Sequence, residues 1–190
     1  MSAPDPAARF PRPHGPWTIL ASHEAYRDPW VRLRRDEVTR PDGAAGSYVV
    51  VHLKPGVCVI ALDDEGYVHL TSEFHYGVGR VTLEGVSGGV EPGDAYEATA
   101  HRELEEELGI AAERLTSLGM VDPFTANVVS PTAMFLAEGL SFGEPAPEGT
   151  EQITRVTLSL EEAVDQVIDS QITHGPSCLA ILKTARLRSK

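Results

Sequence analysis

Short apolar runs separated by polar turns dominate the first half of the chain. The segments SYVVVHL and GVCVIAL are rich in β-branched residues, and the DDEG sequence at 63–66 predicts a tight hairpin into YVHLTSEFHY. Further strands are predicted in VGRVTLEGV, TSLGMVDP, TAMFLAEGL and ITRVTLSL. Nearer the N-terminus, WTILASHEAYRDPWVRLRRDEVTR predicts one or two strands around a turn at Asp28-Pro29.

A helical period follows the glycine-rich segment SGGVEPGD at 87–94, which we expect to be a loop. The spacing of Asp94 and Glu97 predicts a capping box with Asp94 as the N-cap, and Gly109 is a natural C-terminal stop. An apolar stripe recurs every four residues along this helix, at Tyr96, Ala100, Leu104 and Leu108.

Two more helices are predicted near the C-terminus. Ser159 and Glu162 have the spacing of a second capping box before LEEAVDQVIDS, and a last helix is expected at about residues 176–187. The order of strands, helix, strands and helices favours an α+β fold with a mixed sheet. We expect a flexible tail at 1–16, an N-terminal β extension at 17–46 and the principal domain at 47–190.

The charge balance excludes some functions. Sixteen basic residues against 28 acidic ones give a net charge of −12, which disfavours nucleic-acid backbones and anionic membrane surfaces. No apolar run approaches the roughly 20 residues of a membrane-spanning helix. Cys58 and Cys178 lie in apolar runs and are expected to be unpaired thiols of a cytoplasmic protein, with a disulfide as the alternative.

Four carboxylates occupy five positions of the first predicted helix, and their mutual repulsion needs an explanation. At 100° per residue, Glu106 lies about 60° to one side of Glu103 and Glu107 about 40° to the other, whereas Glu105 points elsewhere. These three can form a solvated acidic face, pair with Arg102 or another cation, or bind a hard divalent ion such as Mg²⁺ or Mn²⁺.

The spacing around this helix resembles a known motif. Gly88, five residues, Asp94, seven residues and then RELEEELGI at 102–110 resemble the Nudix box, which has a glutamate where this chain has Asp94. The segment EGVSGGVEPGD is similar to the corresponding segment of the ADP-ribose pyrophosphatases of the Nudix superfamily. The resemblance covers about residues 17–187 and implies a Nudix-type α/β/α sandwich with an N-terminal β extension.

The resemblance also implies an activity and a metal site. The implied reaction is the Mg²⁺-dependent hydrolysis of ADP-ribose to AMP and ribose 5-phosphate, with Mn²⁺ as an alternative ion. Arg102 would position the glutamates, and Glu106 would bind metal or orient the attacking water. The implied metal ligands are Glu103, Glu106, Glu107 and the backbone carbonyl of Ser87.

In this superfamily a glutamate in the loop after the box often acts as the general base. Glu151 best matches that position, and Glu144 and Glu148 are the other candidates in the loop. The substrate position that is often arginine in relatives is His75 here, and Glu84 precedes the glycine-rich segment, where it is expected to contact substrate, metal or water.

Relatives use aromatic residues of an N-terminal sheet, exchanged across a homodimer, to hold adenine. Trp17 and Trp30 are the candidates here, although each could instead fill the core or an interface. We therefore expect a homodimer with a small-molecule nucleotide-sugar substrate. Because His75 stands where relatives often have arginine, an alternative substrate is another nucleotide sugar or a dinucleotide. A catalytically silent nucleotide-binding module is a further alternative. The remaining histidines, His174 among them, show no ligand spacing and receive no role.

Overall fold

The structure is a computed structural model that describes residues 9–147, 149 and 152–189. The chain divides into two compact units. The N-terminal unit comprises Met1–Lys54 and Phe124–Ser130, and the main unit comprises Pro55–Pro123 and Pro131–Lys190. Each unit has its own sheet, and each is described by itself.

The N-terminal unit contains a five-stranded sheet of order β1-β2-β3-β4-β10. Its strands are β1 (Arg12–His14), β2 (Trp17–Arg27), β3 (Val31–Thr39), β4 (Ala45–Leu53) and β10 (Val128–Val129). Neighbouring strands are antiparallel except β4 and β10, which are parallel. The turn predicted at Asp28-Pro29 is confirmed, because the Asp28 carboxylate accepts hydrogen bonds from the backbone N–H groups of Trp30 and Val31 at 2.8 and 2.7 Å.

The main unit contains a seven-stranded sheet and the three helices of the described residues. The elements of this unit are β5 (Gly56–Leu62), β6 (Tyr67–His75), β7 (Arg80–Glu84), β8 (Val86–Gly89), α1 (Tyr96–Leu108), β9 (Ile110–Val121), β11 (Thr132–Phe142), β12 (Thr154–Ser159), α2 (Leu160–Ile168) and α3 (Gly175–Arg188). The main path of the sheet is β12-β6-β5-β11-β9, with β7 on β6 and β8 on β5. Because β5 and β11 are parallel and the other pairs are antiparallel, the predicted mixed sheet is confirmed.

Strand β5 is apolar and buried on both faces, which explains why its sequence does not alternate. Its odd-numbered residues Val57, Val59 and Ala61 pack in one cluster with the apolar stripe of α1. Its even-numbered residues Cys58, Ile60 and Leu62 pack in a second cluster with residues of α2 and α3. The sheet therefore lies between α1 on one face and α2 and α3 on the other, which confirms the predicted α/β/α sandwich.

The helix ends confirm two of the three predicted caps. Gly109 ends α1 with a left-handed backbone at φ 65°, and Ser159 and Glu162 form the predicted capping box of α2. The prediction of Asp94 as the N-cap of α1 is wrong, because the helix begins one residue later and its N-cap is Ala95 without a side-chain hydrogen bond. The backbone N–H of Asp94 instead donates to the Glu91 carbonyl in the preceding turn.

Three other predictions differ from the structure. Part of the glycine-rich segment 87–94 is not a loop, since it forms β8 and pairs with β5. Strand β1 lies within the segment predicted as a flexible tail, and the boundary predicted at residue 46 falls inside β4. Both cysteines are free thiols, as predicted, and no helix in the described ranges has the length and hydropathy to span a membrane.

The two capping sites provide a stability prediction. Replacing Ser159 by alanine removes a side-chain cap and should lower the free energy of unfolding by roughly 0.5–2 kcal/mol. Replacing Asp94 by alanine removes no side-chain cap of α1 and should change stability much less. Urea unfolding of both variants measures the difference, and an equal loss for D94A would contradict the helix start at Tyr96.

Candidate active site

The carboxylates of α1 lie where the helical spacing placed them. Glu103, Glu106 and Glu107 are half-buried, whereas Glu105 is exposed. The three half-buried glutamates flank the apolar stripe that packs on the sheet, so their carboxylates are partly removed from water. Partial burial raises the cost of placing like charges together.

Arg102 offsets part of this repulsion. Its guanidinium donates one hydrogen bond to Glu103 Oε1 and one to Glu106 Oε2, both at 2.7 Å. Burial alone would lower the pKa of Arg102, but the charges of the two glutamates outweigh burial and raise that pKa. Arg102 therefore holds two of the three carboxylates in place, as its predicted positioning role requires.

The Glu103 side chain lies against the backbone of β8. A Cβ atom added at Gly88 would overlap the Glu103 carboxylate and come within 2.6 Å of its Cγ. Ser87 immediately precedes this glycine and pairs with Cys58 of β5. The glycine of the motif thus allows a carboxylate to approach the strand that carries the Ser87 carbonyl.

Glu107 and Glu84 both act electrostatically on Cys58, the buried partner of Ser87 in the sheet. Burial raises the pKa of the Cys58 thiol to about 11, with further raising contributions from the charges of Glu84 and Glu107. The charges of Glu107 in α1 and of Glu84 at the end of β7 therefore both disfavour ionisation of this buried thiol.

The segment after β11 is attached to the end of α1. The Gly143 N–H donates to the Gly109 carbonyl at 2.6 Å, and the Ala146 N–H donates to the Glu106 carbonyl at 2.9 Å. A Cβ at Gly109 would come within 2.8 Å of backbone atoms of Glu144 and Pro145. Gly109 is thus required both by its positive φ and by the close approach of this segment.

Of the three candidates for the general base, Glu144 is exposed within the attached segment. Glu148 and Glu151 lie outside the described residues. The choice of Glu151 therefore stays a prediction.

Glu84 is held by three side chains of the main unit. Its Oε1 accepts a hydrogen bond from Thr82 Oγ1 at 2.6 Å and lies 3.3 Å from His75 Nε2, and its Oε2 lies 3.0 Å from His174 Nδ1. Glu84 and His75 are among the site residues predicted from the sequence. His174 is not, because no spacing links residue 174 to residue 84.

The two tryptophans differ in their surroundings within the N-terminal unit. Trp17 is half-buried, makes an edge-to-face contact with Tyr48 at 5.5 Å and lines a cavity of about 660 Å³ formed by residues of this unit. Within the described residues, Arg34 Nε and His52 Nε2 are buried nitrogens without a hydrogen-bond partner, and both side chains line this cavity. Trp30 is 68% exposed and is not among the lining residues.

The residues of the main unit fit a hard divalent cation by their chemistry. Among the described residues, no three His, Cys, Asp or Glu side chains already form a closed metal centre, and Arg102 pairs with two of the predicted ligands. Glu103, Glu106, Glu107 and the Ser87 carbonyl nevertheless offer only oxygen donors, which suit Mg²⁺ or Mn²⁺. Because Gly88 has no side chain, the Glu103 carboxylate can lie against the backbone that carries the Ser87 carbonyl.

Comparisons with known proteins identify the family of this chain. The NUDIX domain family matches residues 52–175, and the family described as the nucleoside diphosphate sugar hydrolase N-terminal domain matches residues 17–51. The chain belongs to the Nudix family and is a Nudix hydrolase. The resemblance inferred from the motif is therefore confirmed.

Several individual proteins are similar to this chain over most of its length. An ADP-ribose pyrophosphatase of Bacillus subtilis is 30% identical over 170 residues, which cover 85% of this chain and 89% of the relative. A methanol dehydrogenase activator of Bacillus methanolicus is 27% identical over 80% of this chain and 83% of its own length. An ADP-ribose pyrophosphatase of Mycobacterium tuberculosis is 28% identical over 79% of this chain and 74% of its own length.

A solved structure shows the same fold. The crystal structure of an ADP compounds hydrolase superposes with a TM-score of 0.79 and covers 91% of this chain and 94% of that chain. The sequence identity is 20%, so this likeness concerns the fold alone.

Two glycines of the motif should respond differently to alanine. In G88A the new methyl group meets the far end of a flexible glutamate, so we expect a small change in stability but a large loss of activity as Glu103 is displaced. In G109A the methyl group meets backbone at a positive φ, so we expect a loss of at least about 1–2 kcal/mol in the free energy of unfolding. Thermal unfolding and hydrolysis assays of both variants test this contrast. Full activity in G88A would contradict the proposed importance of the Glu103 position.

Proposed function

We propose that this protein hydrolyses the pyrophosphate bond of ADP-ribose, giving AMP and ribose 5-phosphate, with Mg²⁺ as its cofactor and Mn²⁺ as a substitute. The observation that carries this proposal is the half-buried cluster of Glu103, Glu106 and Glu107, of which Glu103 lies against Gly88 of β8. The relatives named as ADP-ribose pyrophosphatases support the choice of substrate.

The acidic cluster suits this chemistry only together with cations. A pyrophosphate is anionic and the protein carries a net charge of −12, so the two repel each other in the absence of counterions. Bound divalent ions would neutralise charge on the phosphates, activate a water molecule and stabilise the departing phosphate. Glu103, Glu106, Glu107 and the Ser87 carbonyl would hold these ions.

The reaction requires one water, one base and one leaving group. The water oxygen forms a bond to one phosphorus, the bond from that phosphorus to the bridging oxygen breaks, and the water proton passes to a carboxylate base. We assign the base to Glu151 and the orientation of the water to Glu106. Arg102 keeps Glu103 and Glu106 in place through its two hydrogen bonds.

The N-terminal unit supports a role in binding the nucleobase. The cavity beside Trp17 and Tyr48 has an aromatic wall on which a flat base could stack, and its buried Arg34 and His52 nitrogens could pair with polar groups of a base. Trp30 remains a candidate because of its exposed ring.

We further propose a cytoplasmic homodimer, the assembly that the resemblance to ADP-ribose pyrophosphatases implies.

A second candidate is the hydrolysis of another nucleotide sugar or a dinucleotide. The observation that favours it is His75, which is held by Glu84 at the position where relatives often have arginine. An imidazole offers fewer hydrogen bonds than a guanidinium, so the contacts to the substrate at this position would differ.

Metal binding should be visible in the thermal stability of the protein. At a Mg²⁺ or Mn²⁺ concentration 100 times the dissociation constant, binding to the folded state adds about 2.7 kcal/mol, which corresponds to several degrees in Tm. E107Q should reduce this shift, while E105Q, a matched change at an exposed position of the same helix, should retain it. An equal Tm shift in both variants would show that the ions bind elsewhere.

A substrate panel tests the activity directly. The purified protein is incubated with Mg²⁺ and ADP-ribose, other nucleotide sugars, dinucleotides and nucleoside triphosphates, and the products are separated by chromatography. We expect AMP and ribose 5-phosphate from ADP-ribose, and a loss of roughly 100-fold or more in kcat for E106Q. E105Q should remain close to wild type.

The other outcomes of the panel are equally informative. Faster turnover of a different compound would support the second candidate and assign the substrate preference to the pocket around His75. No turnover of any compound by a protein that binds Mn²⁺ would overturn both candidates and leave a nucleotide-binding module.

A further inference from the structure

The N-terminal end of α3 contacts the segment that leads into β8. His174 is the N-cap residue of α3 by its backbone, but its side chain does not cap the helix. Its Nδ1 atom lies 3.0 Å from Glu84 Oε2 and 2.8 Å from Ser177 Oγ. The His174 side chain is therefore directed at Glu84 and at Ser177, the third residue of α3, rather than at the free N–H groups of this helix.

Ser177 holds the next residue of the same segment. It is fully buried, and its Oγ accepts a hydrogen bond from the Gly85 N–H at 2.9 Å. Gly85 lies against β5 with no room for a side chain, because a Cβ there would lie 2.8 Å from Ile60 Cδ1 and 2.9 Å from the Val59 carbonyl oxygen. The backbone at Gly85 is thus fixed between the central strand and the serine hydroxyl.

Gly85 is also bonded to β8, the strand against which the Glu103 side chain lies. The Ser87 hydroxyl donates to the Gly85 carbonyl at 2.8 Å. Ser87 and Gly88 follow Gly85 in the chain after only two and three residues, and both lie in β8. A displacement of Gly85 would therefore move the Ser87 carbonyl and the surface against which the Glu103 carboxylate lies.

We propose that His174 and Ser177 are positioning residues of the active site, which fix Glu84 and Gly85 and thereby set the Ser87–Gly88 backbone relative to the carboxylates of α1. This inference rests on the proposed function, since it assigns these residues to the metal site of that reaction. Their action passes through the sheet, because α3 packs on the face opposite α1.

The bonding of Glu84 agrees with a positioning role. Its two carboxylate oxygens contact Thr82, His75 and His174, and its backbone carbonyl accepts a hydrogen bond from Thr71 Oγ1 at 3.3 Å. With these contacts Glu84 joins strands β6 and β7 to the N-terminal end of α3. Loss of His174 would leave this half-buried carboxylate with fewer donors.

The test measures Mn²⁺ binding by electron paramagnetic resonance without substrate, together with kcat and KM on the best substrate of the panel. The variants are H174A, H174N and S177A. Asparagine at 174 can present an N–H close to the position of the imidazole Nδ1 and should restore the contact to Glu84. T184V is the matched control for S177A, since Thr184 is also fully buried in α3 and its hydroxyl has no hydrogen-bond partner within the described part of the chain.

We expect H174A and S177A to weaken Mn²⁺ binding roughly tenfold, as found for the loss of partners that orient metal ligands. In these variants kcat should fall more than KM changes, whereas H174N and T184V should stay close to wild type. If H174A and S177A bind Mn²⁺ like wild type, the inference is overturned even if their activity falls. An equal loss in T184V would also overturn it, because the effect would then be a general weakening of α3.

The two proposals fail in distinguishable ways. A wild-type protein that binds Mn²⁺ but hydrolyses no compound overturns the proposed function, while the binding data on the variants still decide the positioning role. A wild-type protein that hydrolyses ADP-ribose, with unaltered Mn²⁺ binding in both alanine variants, overturns only the positioning role. A wild-type protein without Mn²⁺ binding overturns the positioning role outright.

Discussion

The close approach of the Glu103 carboxylate to the β8 backbone is the contact on which the candidate active site depends. It requires a residue without a side chain at position 88. It also requires a helix start that places Glu103 beside Gly88, and a pairing of β8 with β5 that keeps β8 in position. Arg102 restrains the same carboxylate through its hydrogen bond to Glu103 Oε1 at 2.7 Å. The positive charge of Arg102 offsets part of the repulsion within the acidic cluster.

The central strand β5 connects this contact to the rest of the main unit. Its alternating side chains belong to the cores on both faces of the sheet, so α1 and α3 pack against the same strand from opposite sides. At Cys58 the two sides meet, since the thiol lies 3.6 Å from Ser177 Oγ of α3 and its pKa responds to the charge of Glu107 of α1. A close-packed strand of this kind transmits small displacements from one face to the other.

The sequence was sufficient for features that depend on local periodicity and spacing. The apolar stripe, the outward position of Glu105, the stop at Gly109 and the Ser159 cap all follow from neighbouring residues. The start of α1 did not follow, because Asp94 and Ala95 compete for the cap and the turn around Glu91 decides between them. The contacts of His174 could not be predicted at all, since they depend on tertiary packing between segments 90 residues apart in the chain.

The charge of the site also affects how strongly cations and substrate would promote each other's binding. Arg102 pairs with Glu103 and Glu106, and the remaining negative charge of the cluster opposes an anionic pyrophosphate. If the cluster binds divalent ions as proposed, a substrate that brings further negative charge would raise the affinity of this site for the ions, and by linkage the ions would raise the affinity for the substrate to the same degree. Under the proposed function, the acidic cluster would thus favour a complex of protein, cation and pyrophosphate over either pair alone, and this preference would follow from the charges without any change of fold.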